Sequence, residues 1–256
     1  LVGSEMCIRD RFYYNTKISN LSIETEPNWL HKDTTNGIPF RRIAYLSTDR
    51  LRLKHESVCV FKKMGKGCFF CNIPSKSVTF TQADFKEVLD FLLYKPTFRH
   101  ILIGGGSEDP AIESQNITYL AQEIRKRNKE IPIYLMSLPP SDLATLYLYE
   151  KAGINEVAFN IEIWDRSIAG KLMPGKAEIP LEKYIEVLKA STNIWGKTGN
   201  VRTALIVGLN QESELIKAIQ YLCSLGIQPM LSVFRPMPGT KLENVVPVSY
   251  THLTLP

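Results

Sequence analysis

The stretch from Ile131 to Ile161 opens with the apolar run Ile131-Pro-Ile-Tyr-Leu-Met136 and closes with Val157-Ala-Phe-Asn-Ile161. Both runs are too short for a buried helix and lack a polar alternation, so each reads as a strand covered on both faces. Between them Leu143, Leu146 and Tyr147 recur at helical spacing, with Ser141 placed to cap the helix and Gly153 to stop it. Strand, helix, strand in about thirty residues is the unit from which parallel sheets are built.

The same unit repeats in both directions. Toward the C-terminus, Pro180 suits the first turn of a helix carrying Leu181, Tyr184, Ile185 and Leu188, and the strand Val201 to Leu209 follows. A helix with Leu215, Ile216, Ile219, Leu222 and Cys223 then ends at Gly226 before the strand Met230 to Phe234, and Cys223 is expected to pack in the core. Toward the N-terminus, a helix with Ile117, Leu120, Ala121 and Ile124 follows the strand Ile101 to Ile103. Before that strand, Thr81 caps a helix with Phe85, Val88, Leu89 and Leu92, which Pro96 stops. Apolar Ile43 to Leu46 and the alternation at Leu51-Arg-Leu53 predict the first strand. The total is six strands alternating with five helices, an α/β fold with a parallel sheet, either doubly wound or closed toward a barrel. In both, ligands gather at the C-terminal ends of the strands.

Composition narrows the class. At 256 residues, 44% hydrophobic and 22% charged, the chain is an ordinary globular protein of one large domain. No run approaches the ~18 apolar residues of a membrane span, so no membrane role is expected. Lys and Arg give a net charge of +5 but are dispersed, and nucleic-acid binding is not signalled. Five cysteines, an odd number with three bunched in one loop, suit a reducing, cytoplasmic setting in which thiolates hold metal. Residues 1–11 (LVGSEMCIRDR) and 248–256 (VSYTHLTLP) resemble translated sequencing-adapter read-through and are set apart, with Cys7 and His252. Residues 12–45 form a polar N-terminal extension, and 46–247 form the α/β body, whose natural counterpart is longer.

The unusual residues stand where strands end. After the first strand comes Cys59-Val-Phe-Lys-Lys-Met-Gly-Lys-Gly-Cys68-Phe-Phe-Cys71, whose glycines let the backbone wrap a compact object. After the second comes Gly104-Gly105-Gly106-Ser-Glu108, a turn that lets the backbone approach a ligand, with Glu108 placed for an amine. Asn160 and Glu162 follow the fourth strand on one face of the chain and suit a hydroxylated group such as a ribose. Ala204 to Gly208, with Ile206, offers a flat slot for an aromatic ring, and Arg235 after the last strand is placed to face an anion.

In this order and spacing the features resemble the radical S-adenosylmethionine (SAM) superfamily, nearest its biotin and lipoyl synthase-like branch, over Leu51 to Leu242. The family signature, commonly C-x-x-x-C-x-aromatic-C, is matched in its second half by Cys68-Phe-Phe70-Cys71. Met64 stands where the first cysteine is usual, and Cys59 gives C-x8-C-x2-C instead. The resemblance implies a partial (β/α)6 TIM-type barrel and a [4Fe-4S] cluster on Cys59, Cys68 and Cys71, with SAM held by Phe70, Gly104, Gly105, Gly106, Glu108, Asn160, Glu162, Ile206, Gly208 and Arg235. Ala204 and Gln211 replace the usual Gly and Glu of the adenine-binding motif. Three thiolates on a four-iron cube leave one iron open for SAM. The implied activity is reductive cleavage of SAM to a 5′-deoxyadenosyl radical that abstracts hydrogen from a substrate, with no protein nucleophile and with electrons from a donor such as flavodoxin or ferredoxin.

Two other readings fit the cysteines. A zinc-stabilised binding module without enzymatic activity would take His55 as a fourth ligand. A dithiol oxidoreductase would need Cys68 and Cys71 alone.

Overall fold

The computed structural model describes the backbone of residues 11–13 and 16–19, and residues 26–47, 49–55, 58–73 and 80–245 in full. Cys7, His252 and all of the two set-apart tails except residue 11 lie outside the described residues.

Strands β1 (Arg11–Tyr13) and β2 (Thr16–Ser19) pair as a small antiparallel ribbon. A 3-10 turn over Asn28–His31 and α1 (Phe40–Ile43) bring the chain to the main sheet. Where the apolar pattern predicts one first strand, the structure has two. Strands β3 (Ala44–Ser47) and β4 (Arg50–Lys54) pair in antiparallel register, Ala44 opposite Leu53 and Ser47 opposite Arg50. The sheet is therefore seven-stranded and mostly parallel.

From β4 onward the expected alternation holds. It runs through α2 (Val60–Lys63), α3 (Gln82–Tyr94), β5 (His100–Gly104), α4 (Pro110–Arg127), β6 (Ile133–Ser137), α5 (Ala144–Lys151) and β7 (Glu156–Phe159). After β7 come two short helices that no periodicity marks, α6 (Arg166–Leu172) and α7 (Pro174–Ala177), before α8 (Leu181–Trp195), β8 (Val201–Val207), α9 (Glu212–Ser224) and β9 (Gln228–Val233). Sheet order follows chain order from β3 to β9, with β4 to β9 parallel neighbours, the open partial barrel that the family resemblance implies and that the strand–helix pattern alone leaves undecided.

Thr81 caps α3 as expected, and Asp84 returns the bond to the Thr81 backbone in a capping box. Ser141 does not cap α5; Asp142 accepts from Ala144 N–H at 2.9 Å in its place. Cys223 is exposed on α9 rather than packed in the core.

Strand periodicity splits the sheet chemically. Odd-numbered Leu51, Leu53, Ile101, Ile103, Ile133 and Leu135 are buried at 0–1% exposure in one large core beneath the helices. Their even-numbered neighbours face the concave side, where Leu102, Tyr134 and Ala158 make a small separate apolar cluster among Arg50, Arg52, Lys54, Asn160 and Arg202. The concave side is thus a mixed polar surface that the helical layer leaves uncovered.

Candidate cofactor site

The C-terminal ends of β4, β5, β6 and β7 open into one cavity of about 350 Å3. Cys59, Cys68, Phe70, Cys71, Gly104, Gly105, Gly106, Asn160 and Glu162 all line it. Glu108, Ile206, Gly208 and Arg235 do not. The Glu108 backbone N–H donates to Glu113 at 3.0 Å, Ile206 N–H donates to the Glu162 carbonyl at 2.8 Å, Gly208 turns the chain after β8 with φ 94°, and Arg235 is exposed.

The cysteine loop is short of regular structure, so packing and hydrogen bonds must hold it. Phe69 N–H donates to Leu172 O at 2.8 Å and Gly175 N–H donates to Lys66 O at 2.9 Å, tying the loop to α6 and α7. Lys62 Nζ donates to Cys71 O at 2.5 Å. Cys68 and Phe70 pack on Ile163, Ala169 and Met173. The unpredicted helices α6 and α7 are therefore the shelf on which the cysteine loop rests. Opposite, the Gly-rich turn touches the chain that carries Cys59: a Cβ on Gly106 would stand 1.9 Å from Val58 O. Glycine is required there by contact, not by a positive φ.

Burial dominates the electrostatics. It pushes the Cys68 thiol up to about 12, with Lys176 pulling the other way and the Cys71, Glu162 and Cys59 charges adding to the rise. Burial also raises the Cys71 thiol, against the Ile73 backbone hydrogen bond and Lys62. Thiols so placed become thiolates when a cation joins them. Among the described residues no group of three or more His, Cys, Asp or Glu side chains is arranged to hold a single metal ion. His55, the supposed zinc ligand, is buried with Nε2 4.0 Å from Glu113 Oε1. The ligands of an iron–sulfur cube stand on separate irons and so surround a volume rather than converge on a point. Three thiols on the walls of one cavity have that disposition, and the site fits a cluster better than a lone ion.

Five contributors escape the motif reading. Lys176, on α7, places Nζ 3.3 Å from Glu162 Oε1; Glu162 itself adopts φ 64°, the only positive φ among the described non-glycine residues. Asn210 Nδ2 holds that strained carbonyl at 3.1 Å. Glu113, from the first turn of α4, accepts from Glu108 N–H and from Leu138 N–H at 3.4 Å, and burial lifts its carboxyl to about 7. Arg52 and Lys54 reach the cavity from β4. The last pair was legible as Arg50-x-Arg52-x-Lys54 on one strand face; nothing local marks Lys176 or Glu113. Asn160, by contrast, uses Oδ1 to accept from Ala204 N–H at 3.0 Å, joining β7 to β8.

No family model matches the chain. A curated relative, the bacteriochlorophyllide c C-7(1)-hydroxylase of Chlorobaculum limnaeum, is 20% identical over 245 residues, an alignment covering 86% of this chain and 61% of the relative. Among solved structures, the FeFe-hydrogenase maturase HydG from Carboxydothermus hydrogenoformans superposes with a TM-score of 0.59 at 14% identity, covering 77% of this chain and 47% of that one. The radical SAM methyltransferase TsrM from Kitasatospora setae, solved with tryptophan substrate and a SAM analogue, gives 0.56 at 12% identity, covering 84% and 42%. The chain thus spans under two thirds of each of these proteins. The three are a hydroxylase, a maturase and a methyltransferase, and none is a biotin or lipoyl synthase, so the narrower branch expected from the motifs gains no support.

Proposed function

We propose that this chain, a member of the radical SAM superfamily, forms the cofactor-binding part of an enzyme that cleaves SAM reductively and abstracts hydrogen from its substrate. The observation that carries this reading is that three thiols and a triple-glycine turn, distant in sequence, wall one cavity at the strand ends. When bound there, a [4Fe-4S] cluster and SAM together supply an electron and a carbon-centred radical.

The chain's own residues position and shield. Cys59, Cys68 and Cys71 would hold three irons, with the first ligand at Cys59 because Met64, in the usual place of the first cysteine, has no thiolate to offer and is exposed. Gly104 to Gly106 leave backbone groups open to the amino and carboxylate end of SAM. Glu162, paired with Lys176, presents its second carboxylate oxygen to a hydroxylated group. Phe61, Phe70, Ile73, Leu102 and Met136 exclude water from the same space. Electrons come from an external donor of the flavodoxin or ferredoxin type, in a reducing compartment that suits the free state of the four described cysteines.

The intact gene product, reconstituted anaerobically with iron and sulfide, tests this. Wild type is expected to carry a brown four-iron cluster and to release 5′-deoxyadenosine from SAM under a strong reductant, whereas Cys59→Ala loses cluster iron. A colourless protein with one zinc, or a loaded cluster that leaves SAM intact, would overturn the enzymatic reading. Full cluster retention in Cys59→Ala would overturn the ligand assignment.

A further inference from the structure

Strand β4 sends Arg50, Arg52 and Lys54 to the concave side at alternate positions. Arg50 is satisfied: its Nε donates to His100 at 2.5 Å, and its guanidinium lies over the Tyr134 ring. Arg202 shares that ring and pairs with Glu156 at 2.9 Å. Arg52 and Lys54 have no acidic partner among the described residues. Arg52 Nε is buried without a hydrogen-bond partner. Its guanidinium and the Lys54 ammonium each stand 5.6 Å from the Tyr45 ring centroid, and Lys54 makes one long bond, 3.5 Å, to Arg41 O. All three side chains line the cavity that holds the thiols.

Two cations flanking one aromatic ring on the same cavity wall are costly without a counter-charge, and contact with that ring offsets a small part of the cost. Burial, and then the nearby Arg42, hold the Lys54 ammonium below the usual lysine range. The carboxylates on the same cavity do not serve: Glu162 is engaged by Lys176, and Glu113 accepts from two backbone N–H groups.

We propose that Arg52, Lys54 and Tyr45 form an anion-binding subsite on the β4 wall of the cavity, and that the molecule transformed there is held by a carboxylate or phosphate group. The inference deepens the proposed function by naming a substrate class. It places the anionic end of the substrate on β4, beside Gly104, to which Lys54 is register-paired, and the reacting end deeper, toward the thiols.

The test uses the full-length reconstituted protein, with thermal unfolding followed against succinate and against inorganic phosphate, each matched in ionic strength by potassium chloride. Wild type is expected to show a saturable stabilisation by one of the two anions beyond that of chloride, and the favoured anion identifies the group. Arg52→Gln and Lys54→Met should each weaken that binding about tenfold, with Arg52→Lys recovering part of it. If Arg52→Gln does not fold, Lys54→Met decides alone. The proposal is overturned if wild type responds as it does to chloride, or if the variants bind the probe as wild type does. It is also overturned if they lose SAM and the probe by the same factor, which would assign both cations to the cofactor. Cluster content and SAM cleavage are measured separately on wild type, so a failure of the cofactor reading leaves the anion result to stand or fall by itself.

Discussion

The ammonium of Lys176 lies 3.3 Å from the carboxylate of Glu162, with both side chains largely buried against the wall that carries Cys68. Burial alone would lower the lysine's pKa, but the Glu162, Tyr184 and Cys68 charges raise it above the ordinary value. A raised folded pKa on a base means the pair's stabilisation is complete below the free lysine's pKa and is lost only as pH rises through the higher folded value. Lys176→Met at neutral pH should therefore cost about 3 kcal/mol by leaving a carboxylate alone. Adding Glu162→Gln should restore part of the loss. Urea unfolding of the single and double variants reads the coupling.

Glu113 gives a pH dependence of opposite sense to the usual carboxylate. Desolvation raises its carboxyl to about 7, with the Glu108 and Leu138 backbone bonds resisting and the Glu108 charge assisting. The folded state then binds more proton than the unfolded state between about pH 4.5 and 7, so stability falls as pH rises through that window. Glu113→Gln should flatten the dependence, removing up to roughly 3 kcal/mol of difference between pH 5 and 8. Denaturant midpoints at the two pH values decide it; an unchanged slope would show that His55, 4.0 Å away, keeps the carboxylate charged.

Asp84 behaves in the ordinary sense. Burial would raise its carboxyl, but hydrogen bonds from Thr34, the Thr81 backbone, the Thr81 hydroxyl and Asn36 outweigh it and lower the pKa. Its contribution is present above the unfolded pKa and fades as pH falls through the folded one. Asp84→Asn should cost about 2 kcal/mol near neutrality, less in acid, and should loosen the segment around Thr34 from α3 in hydrogen exchange.

Two glycine-to-alanine changes should part company. At Gly106 the new Cβ meets Val58 O at 1.9 Å and Cys59 N at 2.8 Å, so the turn and the first cysteine must separate. Cluster iron is expected to fall with it. At Gly170, inside α6, nothing lies within 4 Å, and alanine should add about 0.5–1 kcal/mol by helix propensity. Iron content and melting temperature of both variants check the pair.

The repeat of strands and helices was legible because the odd strand positions are apolar without exception from Leu51 to Leu135 and the helix faces answer them. The cysteine loop and the triple glycine were legible as local oddities at strand ends. What could not be read depends on encounters between distant segments. α6 and α7 have no long apolar stripe, since their partners are Cys68 and Phe70 from a loop a hundred residues earlier. Arg235 and Glu108 sit beside the correct strands in sequence, yet side-chain direction at a strand end is set by the turn that follows, and neither lines the cavity. The β3–β4 hairpin was hidden because an antiparallel return of four residues leaves no periodic mark.

The alternation of buried odd and cavity-facing even residues also bears on how such a chain changes over generations. The buried odd positions hold the core and the even positions line the cavity, so a substitution at Arg52, Lys54 or Met136 reshapes the cavity wall without opening a hole beneath the helices. A lineage built this way can vary its cavity wall while its scaffold stays under separate selection.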